Sequence, residues 1–379
     1  MNVVIVVDGL DLSIGGGVGT FIYDLCFELS RRKDIRTYLV GVIRNSVEAD
    51  PLRNHLANAG IGMISLEAVS RRDALKHFYK YIFDLRHILE NISATDKTIC
   101  NMHLKLGCLI GTYASIGLKN VYCVETYHNT YKNYHLQCWA MAPFIKKYIC
   151  VSNAAKEEMH KRFWIPYKKL VSIPNGVSRE MIRKKANNIY GYTNDCPTVI
   201  SVGRLSYEKN LLLSAKAFML LKSTNYKYII IGDGPQKEEL EKVIGSNTNI
   251  VYLGLKSRED VLIYLNCADI VLIPSLWEGR SILMLEAMAL GKPLIISDCQ
   301  GLREPFSEES LSPNEQFRIT RFGYLVRTES LTGYTEAIKH FFLHPELHDK
   351  MEEVINSVSK ENDMEKVADQ YIKTFFDII

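Results

Sequence analysis

The sequence predicts an α/β chain of two doubly wound halves. Each half is a mostly parallel sheet with helices on both faces. Three observations carry this. The chain opens β–loop–α–β: VVIVVD (residues 3–8), the glycine run GGGVGT, the helix-spaced FIYDLCFELSRR (21–32) and TYLVGVI (37–43). A second alternation begins at TVISVG (198–203). The strands are short and β-branched, and most end in Gly, Ser or Asp, the habit of parallel strands with functional loops at their carboxyl ends.

In the first half, GMISL, TICNMH, VYCVET and YICVS read as further strands, and RDALKHFYKYIFDLRHIL (72–89) as helical. The polar stretch SREMIRKKANNIYGYTNDCP (178–197) reads as the linker. Beyond it, NLLLSAKAFMLLKS and QKEELEKVIG are helices, and YKYIIIGDGP, NIVYLG, ADIVLIPS and PLIISD contribute strands. The expected domains are 1–180 and 195–363. The last stretch, 364–379, is an amphipathic helix with Met364, Val367, Tyr371 and Phe375 on one face.

At 379 residues the chain has room for two domains, and its 47% apolar content supplies a core for each. A net charge of +3 argues against a nucleic-acid binder. The N-terminus lacks a basic segment before its apolar run, and no run of about 18 apolar residues occurs, so neither a secretory leader nor a spanning helix is expected. Nine cysteines without a CxxC pair read as buried thiols in a reducing, cytoplasmic compartment.

The strongest chemical signal is PSLWEGRSILMLEAMALGKPLIIS (274–297). Glu278 lies in the loop after a strand, and Glu286 in the second turn of the helix that follows. The backbone N–H groups of Ser281, Ile282 and Leu283 open that helix, where partial positive charge suits a phosphate. In SVGRLSYEKN, Gly203 allows close backbone approach, and Arg204 and Lys209 supply two cations able to neutralise a departing diphosphate. The run Gly15, Gly16, Gly17 and Gly19 could turn amides toward a phosphate, although it fits neither GxGxxG nor GxxxxGK[ST] and reads equally as a plain loop. His128 in VETYHNTY follows a strand; it and His103 in NMHLK read individually as structural histidines. No Asp-x-Asp and no metal-ligand spacing of His and Cys occur, so no metal or other cofactor is expected.

Taken in order, GGGVGTFIYDL, VETYHNT, VSNAAKEEM, IPNGV, VGRLSYEKN, IIIGDGP, VYLG and the glutamate segment resemble glycosyltransferase family 4, with the GT-B fold. The resemblance implies two Rossmann-like domains facing a cleft, with the C-terminal helix crossing back to the N-terminal one. The C-terminal domain would bind a UDP- or GDP-sugar and the N-terminal domain a glycan or lipid-linked acceptor. Position by position, Glu286 would bind the ribose and Glu278 the donor sugar. Arg204 and Lys209 would hold the diphosphate, Gly16 and Gly17 would approach the phosphates, and His128 would touch the transferred sugar. Loops near Gly254, Ser206 and Arg280 would choose the donor. The implied activity is retaining sugar transfer in bacterial surface polysaccharide synthesis. A sugar-nucleotide epimerase or a glycan phosphorylase of the same fold is the alternative.

The chain departs from the family pattern twice. Arg280 stands where an aromatic is usual, which could alter contacts to the donor sugar or add one to a phosphate. The usual GGxxE segment is reduced to Gly301 and Glu304. Separately, basic and aromatic residues mix in 71–87, 144–149 and 160–169, which suggests either peripheral docking on anionic membrane or solvated helix faces with apolar undersides.

Overall fold

The computed structural model describes residues 1–10, 16–44, 51–128, 135–187, 196–221 and 225–379. Gly15 and residues 188–195 of the expected linker lie outside them. The chain forms two compact units. One comprises Met1–Asn175 with Met364–Ile379, the other Gly176–Asp363.

The first unit holds β1 (Asn2–Gly9), β2 (Arg36–Ile43), β3 (Gly62–Ala68), β4 (Thr98–His103), β5 (Val121–Tyr127), β6 (Ile145–Cys150) and β7 (Leu170–Ser172). Their order is β3-β2-β1-β4-β5-β6-β7, all parallel. The order reverses between β1 and β4. Val3 to Val7 of β1 are fully or almost fully buried, because helices cover both sheet faces and leave no solvated side to alternate with. Helix Met364–Phe376 buries Met364, Val367, Ala368, Tyr371 and Phe375 in this unit and packs on helix Gly16–Ser30. The apolar face read from the sequence is thus its buried face. The stretch 72–89, read as one helical run, is two helices, Arg71–Lys76 and Phe78–Ser93, separated at His77.

The second unit holds β8 (Thr198–Val202), β9 (Lys227–Ile231), β10 (Ile250–Tyr252), β11 (Ile270–Ile273), β12 (Leu294–Ser297), β13 (Phe317–Thr320) and β14 (Gly323–Val326). Their order is β10-β9-β8-β11-β12-β14-β13, with only β13 antiparallel. Here the order reverses between β8 and β11. In open α/β sheets the crevice beyond the strand ends at such a reversal is where ligands bind.

The linker reading of 178–187 is corrected by the structure. Residues Arg179–Asn187 form a helix of the second unit, with Ile182 and Ala186 buried against helices Arg258–Cys267 and Ile282–Ala289. Its polarity comes from a narrow buried stripe: two apolar residues four apart anchor a short helix whose other faces are charged.

Candidate active site

Five segments at the carboxyl edge of the second sheet, one after each of β8 to β12, form one hydrogen-bonded platform. The loop after β8 is tied to the end of β9 by Gly203 N–H to Ile231 O (2.9 Å) and Leu205 N–H to Asp233 O (2.9 Å). It is tied to the loop after β11 by Leu276 N–H to Glu208 O (2.8 Å). The Ser297 hydroxyl, at the end of β12, donates to Ser275 O. Gly232 N–H donates to Gly254 O at 2.9 Å, which adds the segment after β10. Two glycines make this possible. A Cβ on Gly232 (φ +143°) would run into the carbonyl of Gly203, and one on Gly301 into the carbonyl of Glu278. The single glycine left of the blurred segment therefore lets the β12 loop lie directly on the glutamate loop.

This platform brings Glu278 and Lys209 together. Lys209 Nζ lies 2.6 Å from Glu278 Oε1, and the Ser275 hydroxyl donates to the same oxygen at 2.8 Å. The carboxylate is only 10% exposed and the lysine 30%, so the pair is partly withdrawn from water. The two charges neutralise each other. Arg204, in the same loop, is exposed.

Glu286 sits on helix Ile282–Ala289, whose N-cap is Ser281. The Ser281 hydroxyl accepts from Met284 N–H at 3.4 Å, leaving the Ile282 and Leu283 amides at the helix mouth. Glu286 is buried and accepts from Arg258 Nε at 3.3 Å. Arg258 opens the neighbouring helix Arg258–Cys267, itself capped by Ser257. The sequence reading missed Arg258 because SRED looks like an ordinary acidic helix start; only the fold carries it to a carboxylate 28 residues away.

Arg280 is buried and donates through Nη2 to Asn362 Oδ1. Burial pushes its guanidinium down to about 10, while the nearby Glu304 carboxylate acts in the opposite direction. Asn362 in turn accepts from Val177 N–H through its backbone carbonyl. The residue that replaces the usual aromatic thus ties the glutamate loop to the end of helix His348–Glu361.

In the first unit, Gly16 and Gly17 form the first turn of helix Gly16–Ser30, beyond the end of β1, with Gly17 exposed. Asp8, at the end of β1, accepts from Leu106 and Gly107 N–H at 2.9 and 2.8 Å and so caps helix Lys105–Ser115. His128 and His103, read separately in the sequence, are hydrogen-bonded to each other. His103 Nδ1 is 2.8 Å from His128 Nε2, and His103 Nε2 is 2.6 Å from Asn101 Oδ1. Asn101 uses its amide nitrogen on Thr126 Oγ1 (3.1 Å), so its oxygen must accept from His103 Nε2–H. The bare His103 Nδ1 then accepts from His128 Nε2–H. His128 is left with Nδ1 as an acceptor, a buried atom with no hydrogen-bond partner among the described residues.

Burial holds both imidazoles neutral, with His128 down to about 3 and His103 well below the ordinary 6.5. The folded chain therefore binds fewer protons here than the unfolded chain. These histidines cost no stability above pH about 6.5 and cost progressively more as pH falls from there toward the folded values. The melting temperature should drop between pH about 7 and about 5, and His128→Asn should flatten that drop. Identical slopes in thermal scans of the two proteins would remove this account.

Among the described residues no group of three or more His, Cys, Asp or Glu is placed to hold a metal ion. No described helix is long and apolar enough to cross a membrane.

Comparison with known proteins accounts for both units. The family Glycosyltransferase Family 4 matches residues 15–180, and Glycosyl transferases group 1 matches residues 183–366. The chain belongs to glycosyltransferase family 4, with the GT-B fold. The UDP-Gal:alpha-D-GlcNAc-diphosphoundecaprenol alpha-1,3-galactosyltransferase of Escherichia coli is 32% identical over 165 residues, 40% of this chain and 43% of that protein. The alpha-D-kanosaminyltransferase of Streptomyces kanamyceticus is 24% identical over 230 residues, 57% of this chain and 56% of that protein. The chain thus spans about half the length of the curated relatives it matches. Among solved structures, Anabaena HepE in complex with UDP and glucose superposes over 100% of both chains, with a TM-score of 0.78 and 14% identity.

Proposed function

We propose that the chain is a retaining transferase that moves a sugar from a UDP- or GDP-sugar to a hydroxyl of a glycan or lipid-linked saccharide, in the building of a bacterial surface polysaccharide. The observation that carries the reading is the platform at the β8/β11 reversal, where a carboxylate–lysine pair, a second buried carboxylate and an open helix N-terminus converge. Glu286 takes the ribose hydroxyls. The Ile282 and Leu283 amides, Arg204 and Lys209 take the diphosphate, and Glu278 takes a hydroxyl of the donor sugar. Gly203 and Gly254 keep the backbone low beneath the nucleotide. In the first unit the bare Nδ1 of His128 accepts from a sugar hydroxyl, and the amides of Gly16 and Gly17 face phosphate. The nucleotide donor finds support in HepE, solved with UDP and glucose, and the lipid-linked acceptor in the E. coli relative, whose name gives a diphosphoundecaprenol substrate.

In the reaction the bond from the anomeric carbon to the diphosphate breaks, and its electron pair leaves on the phosphate oxygen. The acceptor oxygen joins the same face of the ring, and its proton passes to a donor phosphate oxygen. Lys209, Arg204 and the helix N-terminus stabilise the charge that develops, so a divalent ion has no assigned task. We place the reaction in the cytoplasm, consistent with nine free cysteines. The test is turnover of UDP- and GDP-sugars with a lipid-linked diphosphate saccharide, with and without EDTA, reading the product anomer by NMR. The expected product keeps the donor configuration and forms in EDTA; an inverted product, or one formed only with added metal, overturns the mechanism.

A further inference from the structure

Away from the donor platform, the second unit carries a cleft of about 430 Å³. Helices Arg179–Asn187 and His348–Glu361 form its walls; both pack on helix Ile282–Ala289, and long side chains bridge the gap between them. Residues four apart share a helix face. Arg179, Arg183 and Asn187 therefore line one wall, and Glu352, Asn356 and Lys360 the other. Two hydrogen bonds fix the register. Arg179 Nε donates to Ser359 Oγ at 3.0 Å, and Arg183 Nη2 to Asn356 Oδ1 at 2.6 Å. One helix thus begins where the other ends. The three cations fall at one end of the cleft, and Asn187 and Glu352 at the other. Asn266, which donates to Ala186 O at 3.4 Å, joins that second end.

The cationic end has no matching acid. The arginines meet neutral groups: the Ser359 hydroxyl, the Asn356 amide and, from Arg183 Nε at 2.7 Å, the Ala289 carbonyl. Among the described residues neither arginine nor Lys360 forms an ion pair. Burial and the Arg183 charge hold the Arg179 guanidinium below its ordinary value, while Asp363 acts in the opposite direction. Two guanidinium groups set this close repel each other, and an anion between them removes that cost. Both Nη groups of Arg179 and Nη1 of Arg183 are without a partner among the described residues, so the forked donors that suit phosphate oxygens are on offer. The opposite end has another chemistry. Asn187 and Asn266 are amides, and the Glu352 carboxylate accepts from hydroxyls but repels a second anion. The cleft therefore suits a molecule with phosphate at one end and hydroxyls at the other.

We propose that this cleft binds a phosphorylated sugar, its phosphate held by Arg179, Arg183 and Lys360 and its hydroxyls by Asn187, Asn266 and Glu352. The volume is that of a small-molecule site. It is separate from the donor site. Arg183 meets helix Ile282–Ala289 at the carbonyl of its last residue, whereas the donor diphosphate is assigned to the amides at its first turn, about 12 Å away at 1.5 Å per residue. The proposal goes beyond the transferase reading and does not rest on it.

The experiment is isothermal titration calorimetry of the full chain, without nucleotide, against glucose 1-phosphate, glucose 6-phosphate, mannose 6-phosphate and glycerol 3-phosphate, with glucose and inorganic phosphate as controls. At least one phosphorylated compound should bind more tightly than either control. Arg179→Gln/Lys360→Gln should weaken that binding at least about tenfold, the cost of losing a hydrogen bond to a charged group. Lys360 is exposed and unpaired, so Lys360→Gln alone should weaken binding at the wild-type melting temperature, which separates a lost contact from a lost fold. Glu352→Gln should weaken the phosphorylated sugar yet tighten inorganic phosphate, because it removes a hydroxyl acceptor and a repelling charge together. Glu286→Ala should bind the phosphorylated sugar as wild type does. No binding by any member of the panel, inorganic phosphate binding as tightly as the best of them, or loss of binding in Glu286→Ala would overturn the proposal. Loss of nucleotide-sugar binding with intact sugar-phosphate binding would instead count against the transferase reading alone.

Discussion

Replacing Lys209 by alanine should lower kcat by about a hundredfold to a thousandfold, the usual cost of losing one preorganised charge at a developing anion. In the ground state a nucleotide diphosphate already carries negative charge, but breaking the glycosidic bond adds to it, so Lys209 matters most in the transition state. The geometry enlarges the effect. Lys209 is ion-paired to Glu278 at 2.6 Å, so its removal leaves a carboxylate that is only 10% exposed with the Ser275 hydroxyl as its side-chain donor among the described residues. That uncompensated charge would face the place assigned to the leaving group. Steady-state kinetics should show kcat falling more than the donor KM rises. The melting temperature should fall as well, because removing one partner of a largely withdrawn pair leaves the other charge uncompensated, so the kcat-against-KM split and not the loss of stability assigns the role. Near-normal kcat would remove Lys209 from the mechanism.

Glu286→Ala should act in the opposite column. A carboxylate that accepts from ribose hydroxyls binds the donor equally in the ground and transition states, so its loss should appear in KM with kcat less affected. A hydrogen bond to a charged group contributes about 1.5–3 kcal/mol, which corresponds to about a tenfold to hundredfold weaker donor affinity. Arg258, which donates to Glu286 at 3.3 Å, holds the carboxylate in its buried position. Glu286→Gln should therefore keep the helix packed and lose less affinity than the alanine variant. Equal losses in kcat and kcat/KM would mean that Glu286 acts on the reacting centre and not on the ribose.

The sheets were readable because fully buried parallel strands write themselves as apolar β-branched runs, as in VVIVVD and TVISVG. The three-residue β7 and the β13–β14 hairpin were not, since so few residues carry no period. The helix at Arg179–Asn187 was hidden by composition, since only Ile182 and Ala186 are buried. In the site, Glu278, Lys209 and Glu286 stood out because they follow strands and open helices, the two local patterns that put polar groups at a sheet's carboxyl edge. Their partners did not stand out. That Lys209 meets Glu278 is a contact across 69 residues, and Arg258 meets Glu286 across 28. The His103–His128 bond joins neighbouring strands β4 and β5, and neither histidine alone carried a sign of it. Arg280 departs from the family pattern on sequence alone, but its contact with Asn362, 82 residues away, comes only from the fold.

We propose that the second unit binds a nucleotide-sugar through Glu286. This is tested most directly by thermal unfolding of the wild-type chain and of Glu286→Ala across a panel of UDP- and GDP-sugars, since a ligand specific for the folded state raises its midpoint by mass action. The wild-type midpoint should rise with the sugars of one base, and that shift should largely disappear in Glu286→Ala. No shift with any member of the panel, or an undiminished shift in the variant, would contradict it.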